Sequence, residues 1–239
     1  MKNFIKKLVS DFVFNNDLRD YENSKIIDRI KQKEKSIKIL DAGCGSGLLL
    51  NDLSKYGFEN LYGLDLNSVN VENASKNHHL KIKLGNVLNT GYEDNFFDVV
   101  ICSHVLQIFD ADKGFNLFKE LGRILNPGGL LVIVTLNDFK RFFKHPENCR
   151  PYPPDAILRL INTHTSKVSA PIKDIDKDFP NLKFEKIWKR LNPLIHIESR
   201  TNTKINKLGM VINTLQYKFN LVNPLSFNAF IIFLEKKKI

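Results

Sequence analysis

The apolar residues of this chain follow two patterns, short continuous runs and runs that recur every three or four positions. A continuous run of four to eight apolar residues is typical of a buried strand, and the longer spacing is typical of an amphipathic helix. The two patterns alternate between residues 37 and 136, which predicts a parallel sheet covered by helices on both faces. Five strands are predicted there, at Ile37–Asp41, Asn60–Asp65, Leu80–Leu84, Phe96–Cys102 and Leu130–Leu136.

Helical spacing marks the segments around these strands. Apolar residues from Phe4 to Val13 alternate with lysines, which predicts an amphipathic helix that packs on its own domain or lies on a membrane surface. Further helices are predicted at Tyr21–Lys33, Leu48–Tyr56, Val69–Asn77, Asp110–Leu125, from near Asp155, and at Thr203–Phe219. The remaining predictions are a helix stop at Pro127–Gly129, a polar mobile loop at Ser166–Asp178, a sixth strand at Leu182–Lys189 and an edge-type strand at Phe227–Leu234.

The most informative stretch follows the first predicted strand. Asp41 ends that strand, and Gly43, Gly45 and Gly47 lead into the next helix. Glycines at this spacing allow a sharp turn and let a ligand approach the main chain. A dinucleotide fingerprint would need a third glycine at position 48, where this chain has Leu48. The Asp41 carboxylate would repel a pyrophosphate and attract a ligand that carries an ammonium group.

Two motifs identify a family resemblance. The loop D-A-G-C-G-S-G resembles motif I of the class I S-adenosylmethionine-dependent methyltransferases, and R-I-L-N-P-G-G-L-L-V-I resembles the signature that leads into their fifth strand. The resemblance implies a Rossmann-like α/β fold with helical lid or insertion segments. Its doubly wound seven-stranded sheet is mostly parallel, and the last strand is antiparallel and joins the sheet between the fifth and sixth strands. The resemblance also implies that the cofactor is S-adenosyl-L-methionine.

The resemblance further implies a set of cofactor-binding residues. Asp65 lies 18 residues after Gly47, where an acid is expected to accept both ribose hydroxyls; the alternative is a helix cap or turn residue. Asn86 stands where the family more often has an aspartate that meets the adenine amino group, and the alternative is an ordinary turn. The implied cofactor-binding residues are Asp41, Gly43, Cys44, Gly45, Gly47, Asp65, Leu66, Asn86, Val87 and Ser103.

Two histidines are candidate general bases for a hydroxyl acceptor. His104 follows the fourth predicted strand, and the alternative is that it lines the cofactor pocket or caps the next helix. His145 lies in a predicted substrate-facing turn, and the alternative is a solvated loop residue. The segment after the fourth strand departs from the family pattern, because Gln107 and Ile108 stand where the family commonly has Glu-His.

A second, shorter resemblance concerns the acceptor. Arg150, Pro151 and Tyr152 resemble the Arg-Pro-aromatic core of a stretch in bacterial and archaeal methyltransferases thought to act on sugars or lipid-linked glycans. The planar guanidinium of Arg150 suits a phosphate or carboxylate of the acceptor, and Tyr152 and Trp188 are candidates for a stacking wall against a sugar. The alternatives are bonds to loop carbonyls for Arg150 and a place in the core for Tyr152. Asn148 stands where those proteins have a histidine.

Charge and composition narrow the partners. Residues 1–137 hold 17 basic and 17 acidic residues, so the whole net charge of +10 lies in residues 138–239. That excess fits an anionic acceptor, a membrane surface or nucleic acid, or serves solubility alone. Nucleic acid is not expected, because the basic residues are not interleaved with aromatic ones. The cysteine and histidine spacings predict no metal. The absence of a signal peptide or membrane-spanning run predicts a cytoplasmic protein. The expected oligomeric state is a monomer or homodimer.

Four parts are predicted along the chain: N-terminal helices at 1–36, a Rossmann-like cofactor-binding core at 37–137, a substrate-side lid and insertion with the sixth strand at 138–226, and the last strand with a basic tail at 227–239. The predicted activity is methyl transfer to an oxygen of a small-molecule, glycan or lipid-linked acceptor. The alternatives are an RNA or protein methyltransferase, a non-catalytic S-adenosylmethionine-binding subunit of a partner enzyme, and a dehydrogenase.

Overall fold

Helices and strands alternate through most of the part of the chain that the structure describes. The structure is a computed structural model, and it describes residues 18–136, 142–143, 145–162, 179–193 and 222–238. The helices are α1 (Leu18–Ile30), α2 (Leu48–Lys55), α3 (Ser68–Ser75), α4 (Ala111–Ile124) and α5 (Pro154–Asn162), and a 3₁₀ turn spans Leu106–Ile108. The strands are β1 (Lys38–Ala42), β2 (Asn60–Asp65), β3 (Lys81–Leu84), β4 (Phe97–Ser103), β5 (Leu125–Leu136), β6 (Leu182–Pro193) and β7 (Val222–Lys236).

These strands form one sheet in the order β3-β2-β1-β4-β5-β7-β6, which confirms the predicted fold class. Strand β1 pairs in parallel with both β2 and β4, so the chain runs outward from β1 in two directions. Asp41 consequently lies beside Gly63 of β2 and Ile101 of β4. The carboxyl end of β1 is therefore the topological switch point, the place where open parallel sheets bind their ligands.

The centre of the sheet is apolar on both faces. Its fully buried side chains include Ile39, Leu40, Val99, Val100, Ile101, Leu131, Val132, Ile133 and Val134. Burial of one such side chain stabilises the fold by roughly 1.5 to 3 kcal/mol relative to leaving it in water. Helix α4 covers β5 with a single face, on which Leu117, Phe118 and Leu121 recur at helical spacing and are fully buried. This packed centre fixes the strand ends at which the candidate site lies.

The last strand differs in part from its prediction. The edge-type character predicted for Phe227–Leu234 is wrong, because β7 is longer and lies between β5 and β6, where the resemblance places the last strand. It runs antiparallel to β5, with Leu130 opposite Glu235 and Leu136 opposite Ala229, as the resemblance implied. The stretch from Ala229 to Leu234 is buried throughout, which explains its nearly unbroken run of apolar residues.

Several predicted boundaries also move. Helix α4 ends at Ile124, three residues before Pro127, because β5 already begins at Leu125 and pairs there with Phe97 of β4. Helix α1 ends at Ile30, where the Lys33 N–H closes a turn onto the Ile30 carbonyl. The sixth strand extends to Pro193. Outside the described residues lie the predicted helices at Phe4–Val13 and Thr203–Phe219 and the loop at Ser166–Asp178.

Contacts divide the chain into two compact units. One unit comprises Met1–Arg29 and Lys189–Asn228, and the other comprises Ile30–Trp188 and Ala229–Ile239. The four-part organisation expected from the sequence stays a prediction. All the described residues of the candidate site belong to the second unit. None of the described helices is both long enough and apolar enough to cross a membrane.

Candidate functional site

The glycine loop between β1 and α2 is held in a conformation that side chains resist. Gly43, Gly45 and Gly47 have φ angles of 89°, 54° and 77°, in the left-handed region. The N–H groups of Gly43 and Cys44 both donate to the Leu64 carbonyl, at 2.7 and 3.0 Å, which folds the loop over the end of β2. A Cβ on Gly43 would lie only 2.3 Å from Cγ2 of Val105, so this position is also sterically closed.

Gly45 differs from Gly43 because the space in front of it is open. No atom lies within 4 Å of the position that a Cβ on Gly45 would take. Its N–H donates to Oδ2 of Asp65 at 2.8 Å, which ties the loop to the end of β2. The neighbouring Cys44 side chain is buried, and its Sγ lies 2.8 Å from where a Cβ on Gly63 would be. The loop is thus packed from below and open above, so a ligand can reach the main chain at Gly45.

Asp65 is oriented by main-chain and side-chain donors. Its Oδ1 accepts from the Asn67 N–H at 2.9 Å and from Nδ2 of Asn70 at 3.2 Å. The cap of helix α3 is Asn67, whose Oδ1 accepts from the Val69 N–H, so Asp65 supports the turn without being the cap itself. Leu66, directly after it, is an apolar side chain that is 74% exposed. A half-exposed carboxylate beside an exposed apolar side chain suits a ribose next to an aromatic base.

Asp41 is the most unusual polar residue of the site. Its side chain is 4% exposed, and its buried Oδ1 has no hydrogen-bond partner. Burial, and secondarily the charge of Asp65, raise the pKa of Asp41 to about 7. Burial and the nearby carboxylates also raise the pKa of Cys44 to about 12, and burial with the Asp41 charge raises the pKa of Cys102. Two carboxylates and two protonated thiols therefore surround a place where a positive charge would be stabilised.

The turn after β3 places the next two predicted cofactor residues. Asn86 is exposed, and its Oδ1 accepts from the Leu88 N–H at 2.9 Å. The oxygen retains a second lone pair, so this turn and a bond to an adenine amino group are compatible. Val87 is buried beside it, and the Gly85 N–H donates to the Asp65 carbonyl at 2.9 Å. The structure thus brings the turn of Asn86 against the strand end that carries Asp65.

The carboxyl end of β4 carries Ser103 and His104, both half-buried. His104 has a φ of 57°, which is uncommon for a residue with a side chain. Its N–H donates to the Val134 carbonyl of β5 at 2.9 Å, which fixes the backbone in that conformation. Backbone strain of this kind occurs disproportionately at functional sites. Because β4 runs parallel to β1, His104 lies at the same edge of the sheet as the glycine loop.

The predicted acceptor side is a turn that docks on the segment after β4. The N–H groups of Cys149 and Arg150 donate to the Gln107 carbonyl at 2.9 and 3.2 Å. Tyr152 is 6% exposed, and its hydroxyl donates to the carbonyls of Phe109, at 3.1 Å, and Asp110. Burial is the main reason that the pKa of Tyr152 is raised. Much of the Tyr152 surface is therefore committed to packing.

His145 has a different environment from His104. Its side chain is exposed, and Nδ1 lies 3.2 Å from Oε1 of the equally exposed Glu147. The His145 N–H donates to the Phe142 carbonyl at 3.3 Å, within a local turn. The assignment of either histidine as a base stays a prediction.

Sequence reasoning assigned no role to two residues near this site. Gln107 is buried, and its Oε1 accepts from the Thr135 hydroxyl at 2.9 Å. Gly114 of α4 faces the Tyr152 ring so closely that a Cβ would lie 2.2 Å from the tyrosine oxygen. A signal for Gly114 was present, since a glycine inside a helical pattern costs about 1 kcal/mol and indicates a packing reason. Among the described residues, no group of three or more His, Cys, Asp or Glu side chains could hold a metal ion.

Comparison with known proteins identifies the family of this chain. Residues 40–133 match the family described as a methyltransferase domain. The ubiquinone biosynthesis O-methyltransferase of Rickettsia typhi is 29% identical over 223 residues, which cover 89% of this chain and 79% of that protein. An uncharacterized protein of Methanocaldococcus jannaschii is 31% identical over 222 residues, covering 82% of this chain and 91% of the relative. The chain belongs to the class I S-adenosylmethionine-dependent methyltransferases.

Solved structures share the fold of this methyltransferase. A SAM dependent methyltransferase from Archaeoglobus fulgidus superposes with a TM-score of 0.62 at 17% identity, covering 96% of this chain and 99% of that one. The geranyl diphosphate C-methyltransferase of Streptomyces coelicolor gives a TM-score of 0.60 at 17% identity, covering 91% and 77%. At such identities the likeness concerns the fold alone.

The residues of this methyltransferase fit its cofactor, S-adenosylmethionine. The unpartnered Oδ1 of Asp41 lies where an amino-acid ammonium group would be stabilised by a buried carboxylate. The open face at Gly45 gives room for the cofactor chain, and Asp65 offers carboxylate oxygens to ribose hydroxyls. The individual contacts of these residues with the cofactor stay predictions.

Proposed function

We propose that this methyltransferase transfers a methyl group to a hydroxyl oxygen of a small-molecule acceptor. Support comes from the relatives of Rickettsia typhi and Rickettsia prowazekii, which are named ubiquinone biosynthesis O-methyltransferases and match over 89% of this chain. The observation that carries the proposal is the place of His104, which lies at the carboxyl end of β4 next to the strand that bears Asp41.

The register of the two strands sets the scale of the site. Asp41 lies opposite Ile101, and His104 follows three residues later. A strand rises about 3.3 Å per residue, so the His104 backbone lies roughly 10 Å beyond Asp41 along the strand direction. That separation leaves room for the methionine part of the cofactor at Asp41 and for an acceptor hydroxyl near His104.

The chemistry divides between cofactor and protein. Bound S-adenosylmethionine supplies a methyl group that its sulfonium already activates. The protein therefore acts mainly by alignment, which can lower a barrier by about 7 to 11 kcal/mol. A phenolic hydroxyl has a pKa near 10, so a positioned base adds to the rate by accepting its proton. His104 fills that role, and His145 remains a second candidate base.

Arg150 and Tyr152 are the predicted acceptor-binding residues. The guanidinium of Arg150 is exposed, and its central carbon lies 5.5 Å from the centroid of the Tyr152 ring. A planar guanidinium in that position suits a carboxylate or a phosphate. A glycan or lipid-linked acceptor, contact with a membrane surface, a cytoplasmic location and a monomeric or homodimeric state stay predictions.

The alternatives depend on parts of the chain that offer less support. An RNA or protein methyltransferase was suggested by the positive charge of residues 138–239, about half of which lies outside the described residues. A non-catalytic cofactor-binding subunit would keep Asp41, Asp65 and the glycines but would turn over no acceptor. The match to a methyltransferase domain argues against the dehydrogenase alternative.

Turnover of a phenol tests the proposal. Ubiquinone is a methoxylated quinone, so catechol and 3,4-dihydroxybenzoate are suitable first acceptors, with their dimethoxy counterparts as blocked controls. We expect transfer of labelled methyl from S-adenosylmethionine to the free phenols and none to the controls. Binding of S-adenosylhomocysteine without turnover of any phenol, combined with methylation of RNA or a protein, would move the function to those acceptors.

A further inference from the structure

The turn that carries Arg150 is attached to the core by an unusual contact, a tyrosine seated on a helix glycine. We propose that Gly114 and Tyr152 form a socket that positions the Arg150 guanidinium to receive an anionic group, a carboxylate or phosphate, of the acceptor. This inference rests on the proposed function, since it names the class of acceptor. Gly114 and Tyr152 act here through Arg150 and are positioning residues.

The geometry of the socket admits only a glycine. A Cβ on Gly114 would lie 2.2 Å from the Tyr152 oxygen, 2.8 Å from Cζ and 3.1 Å from Cε1. Real Cβ atoms do not approach heavy atoms below 3.0 Å, so a side chain at position 114 would displace the ring. Glycine at this helical position is less favourable for the helix than alanine. The close fit of the tyrosine gives that glycine a structural reason.

The tyrosine hydroxyl fixes the depth of the ring in the socket. It donates to the carbonyls of Phe109 and Asp110, which directly precede the helix that holds Gly114. The Gly114 N–H donates to the same Asp110 carbonyl at 2.9 Å. Because burial raises the pKa of Tyr152, the hydroxyl keeps its proton and remains a donor. The ring is thus held in place by both its shape and its hydrogen bonds.

Arg150 is held from the other side by its own main chain. Its N–H and that of Cys149 share the Gln107 carbonyl, and the Gln107 side chain is itself anchored to Thr135. The guanidinium lies over the Tyr152 ring, in a cation–π contact. Within the part of the chain that the structure describes, no carboxylate lies within ion-pair distance of it. An exposed guanidinium with a fixed base and no internal anion is prepared to bind an external one.

The position of this guanidinium connects it with the acceptor. Gln107, which holds the Arg150 main chain, lies three residues after His104. The turn therefore belongs to the same rim of the sheet as the candidate base. An acceptor whose hydroxyl meets His104 would bring its other end toward this rim, and a bidentate guanidinium contact would select one that carries an anion.

A matched pair of glycine variants tests the positioning role. Gly122 lies in the same helix, and a Cβ there would also meet a neighbour at 2.2 Å, in that case Pro180, which is no part of the acceptor side. Gly114→Ala and Gly122→Ala thus carry the same helix gain and a similar clash. We expect Gly114→Ala alone to increase amide hydrogen exchange at Cys149 and Arg150. Equal exchange in the two variants would overturn the socket, whether or not any acceptor is known.

Equilibrium binding tests the anionic acceptor separately. With S-adenosylhomocysteine present, 3,4-dihydroxybenzoate should bind the unmodified protein more tightly than neutral catechol. Arg150→Ala and Gly114→Ala should each remove that preference, a loss of about tenfold or more, and Gly122→Ala should keep it. Tyr152→Ala should lose it too, and adding Gly114→Ala to that variant should change nothing further. Absence of a carboxylate preference in the unmodified protein would overturn the inference.

Failure here and failure of the proposed function give different results. If catechol and 3,4-dihydroxybenzoate are both methylated at the same kcat/KM and bind alike, O-methylation stands and the Arg150 inference is wrong. If 3,4-dihydroxybenzoate binds through Arg150 but no hydroxyl is methylated, the anion-binding site is supported and the proposed methylation of oxygen is not. Affinity for S-adenosylhomocysteine should stay unchanged in all these variants, which checks that the cofactor side is intact.

Discussion

The proposed cofactor side and the proposed acceptor side of this methyltransferase present different kinds of chemical group. The predicted cofactor side consists of main-chain groups and carboxylates: a loop with three left-handed glycines, the buried Asp41, and the half-exposed Asp65 at a strand end. On the acceptor side, the functional groups are side chains on a docked turn, with Arg150 and His145 exposed. The first half is specified by backbone geometry, and the second depends on side chains that can change while the fold is retained.

His104 is the residue that we propose to act between the two halves, and its replacement should give the largest effect. We expect His104→Asn to lower kcat for a phenol by about 10² to 10⁴, the usual contribution of a general base. Asparagine tolerates the left-handed backbone that this position requires, so the fold should be retained. The measurement is kcat for catechol beside kcat for thiophenol, whose thiolate needs no base.

Selective loss with the phenol identifies a base, because a merely distorted site would slow both acceptors. Equal loss with both would assign His104 to packing or to the cofactor pocket, and the comparison between the two halves would then have no residue that connects them. Affinity for S-adenosylhomocysteine is the control, and it should change by less than about twofold.

The same division explains what the sequence could predict. The five central strands, the glycine loop and the end of β2 at Asp65 follow from local patterns, since glycine spacing and apolar runs determine the backbone nearby. The socket of Gly114 and Tyr152 and the pair of Gln107 and Thr135 join residues far apart in sequence, so no local pattern reveals them.

The last strand shows the same limit at the level of the fold. Its apolar run, Ala229–Leu234, predicts a strand, but its interior place between β5 and β6 was implied only by the family resemblance, because a local pattern does not specify the neighbours of a strand. The turn of Arg150 was recognised only by resemblance. Its attachment to the Gln107 carbonyl follows from tertiary packing and could not be read from periodicity.

Asp41 should give the next largest effect, through pH. Its pKa in the folded protein, about 7, lies above the ordinary value of 3.8, so the folded state binds this proton more tightly than the unfolded state. The free energy of unfolding should therefore fall as pH rises from about 4 to about 7, by up to about 4 kcal/mol from this group. Urea unfolding of the protein and of Asp41→Asn at pH 4, 6 and 8 measures it.

The variant isolates Asp41 from the other carboxyl groups. Asp41→Asn should gain stability relative to the unmodified protein as pH rises through this window. Binding of S-adenosylhomocysteine near pH 7 should release protons from the unmodified protein, because a ligand ammonium favours the ionised carboxylate, and none from the variant. Calorimetry in two buffers of different ionisation enthalpy detects that release. Identical pH dependence in the two proteins would remove Asp41 from the cofactor side.

The glycine loop gives a smaller effect that separates packing from ligand space. Gly43→Ala adds a clash with Val105 to the strain of a positive φ, so it should lower the free energy of unfolding by about 2 to 4 kcal/mol. Gly45→Ala has the strain without the clash and should lower it by about 1 to 2 kcal/mol. Gly45→Ala should nevertheless weaken S-adenosylhomocysteine at least tenfold, because its Cβ enters the open space. Unfolding curves and titrations of both variants test the pair, and unchanged affinity in Gly45→Ala would mean that the cofactor does not approach this face.

Asp65 gives the smallest of these effects and the cleanest test of the division between the halves. Asp65→Ala removes a carboxylate that already accepts from Gly45 and Asn67 and that we expect to accept from ribose hydroxyls. The affinity for S-adenosylhomocysteine should fall by about 1.5 to 3 kcal/mol, the value of a charged hydrogen bond. Asp52→Ala, which removes an acid of α2 that pairs only with Lys55 in the described ion pairs, serves as the control. If acceptor affinity falls as much as cofactor affinity in Asp65→Ala, the two halves are not separate sites, because a residue built into one of them would then be shaping both.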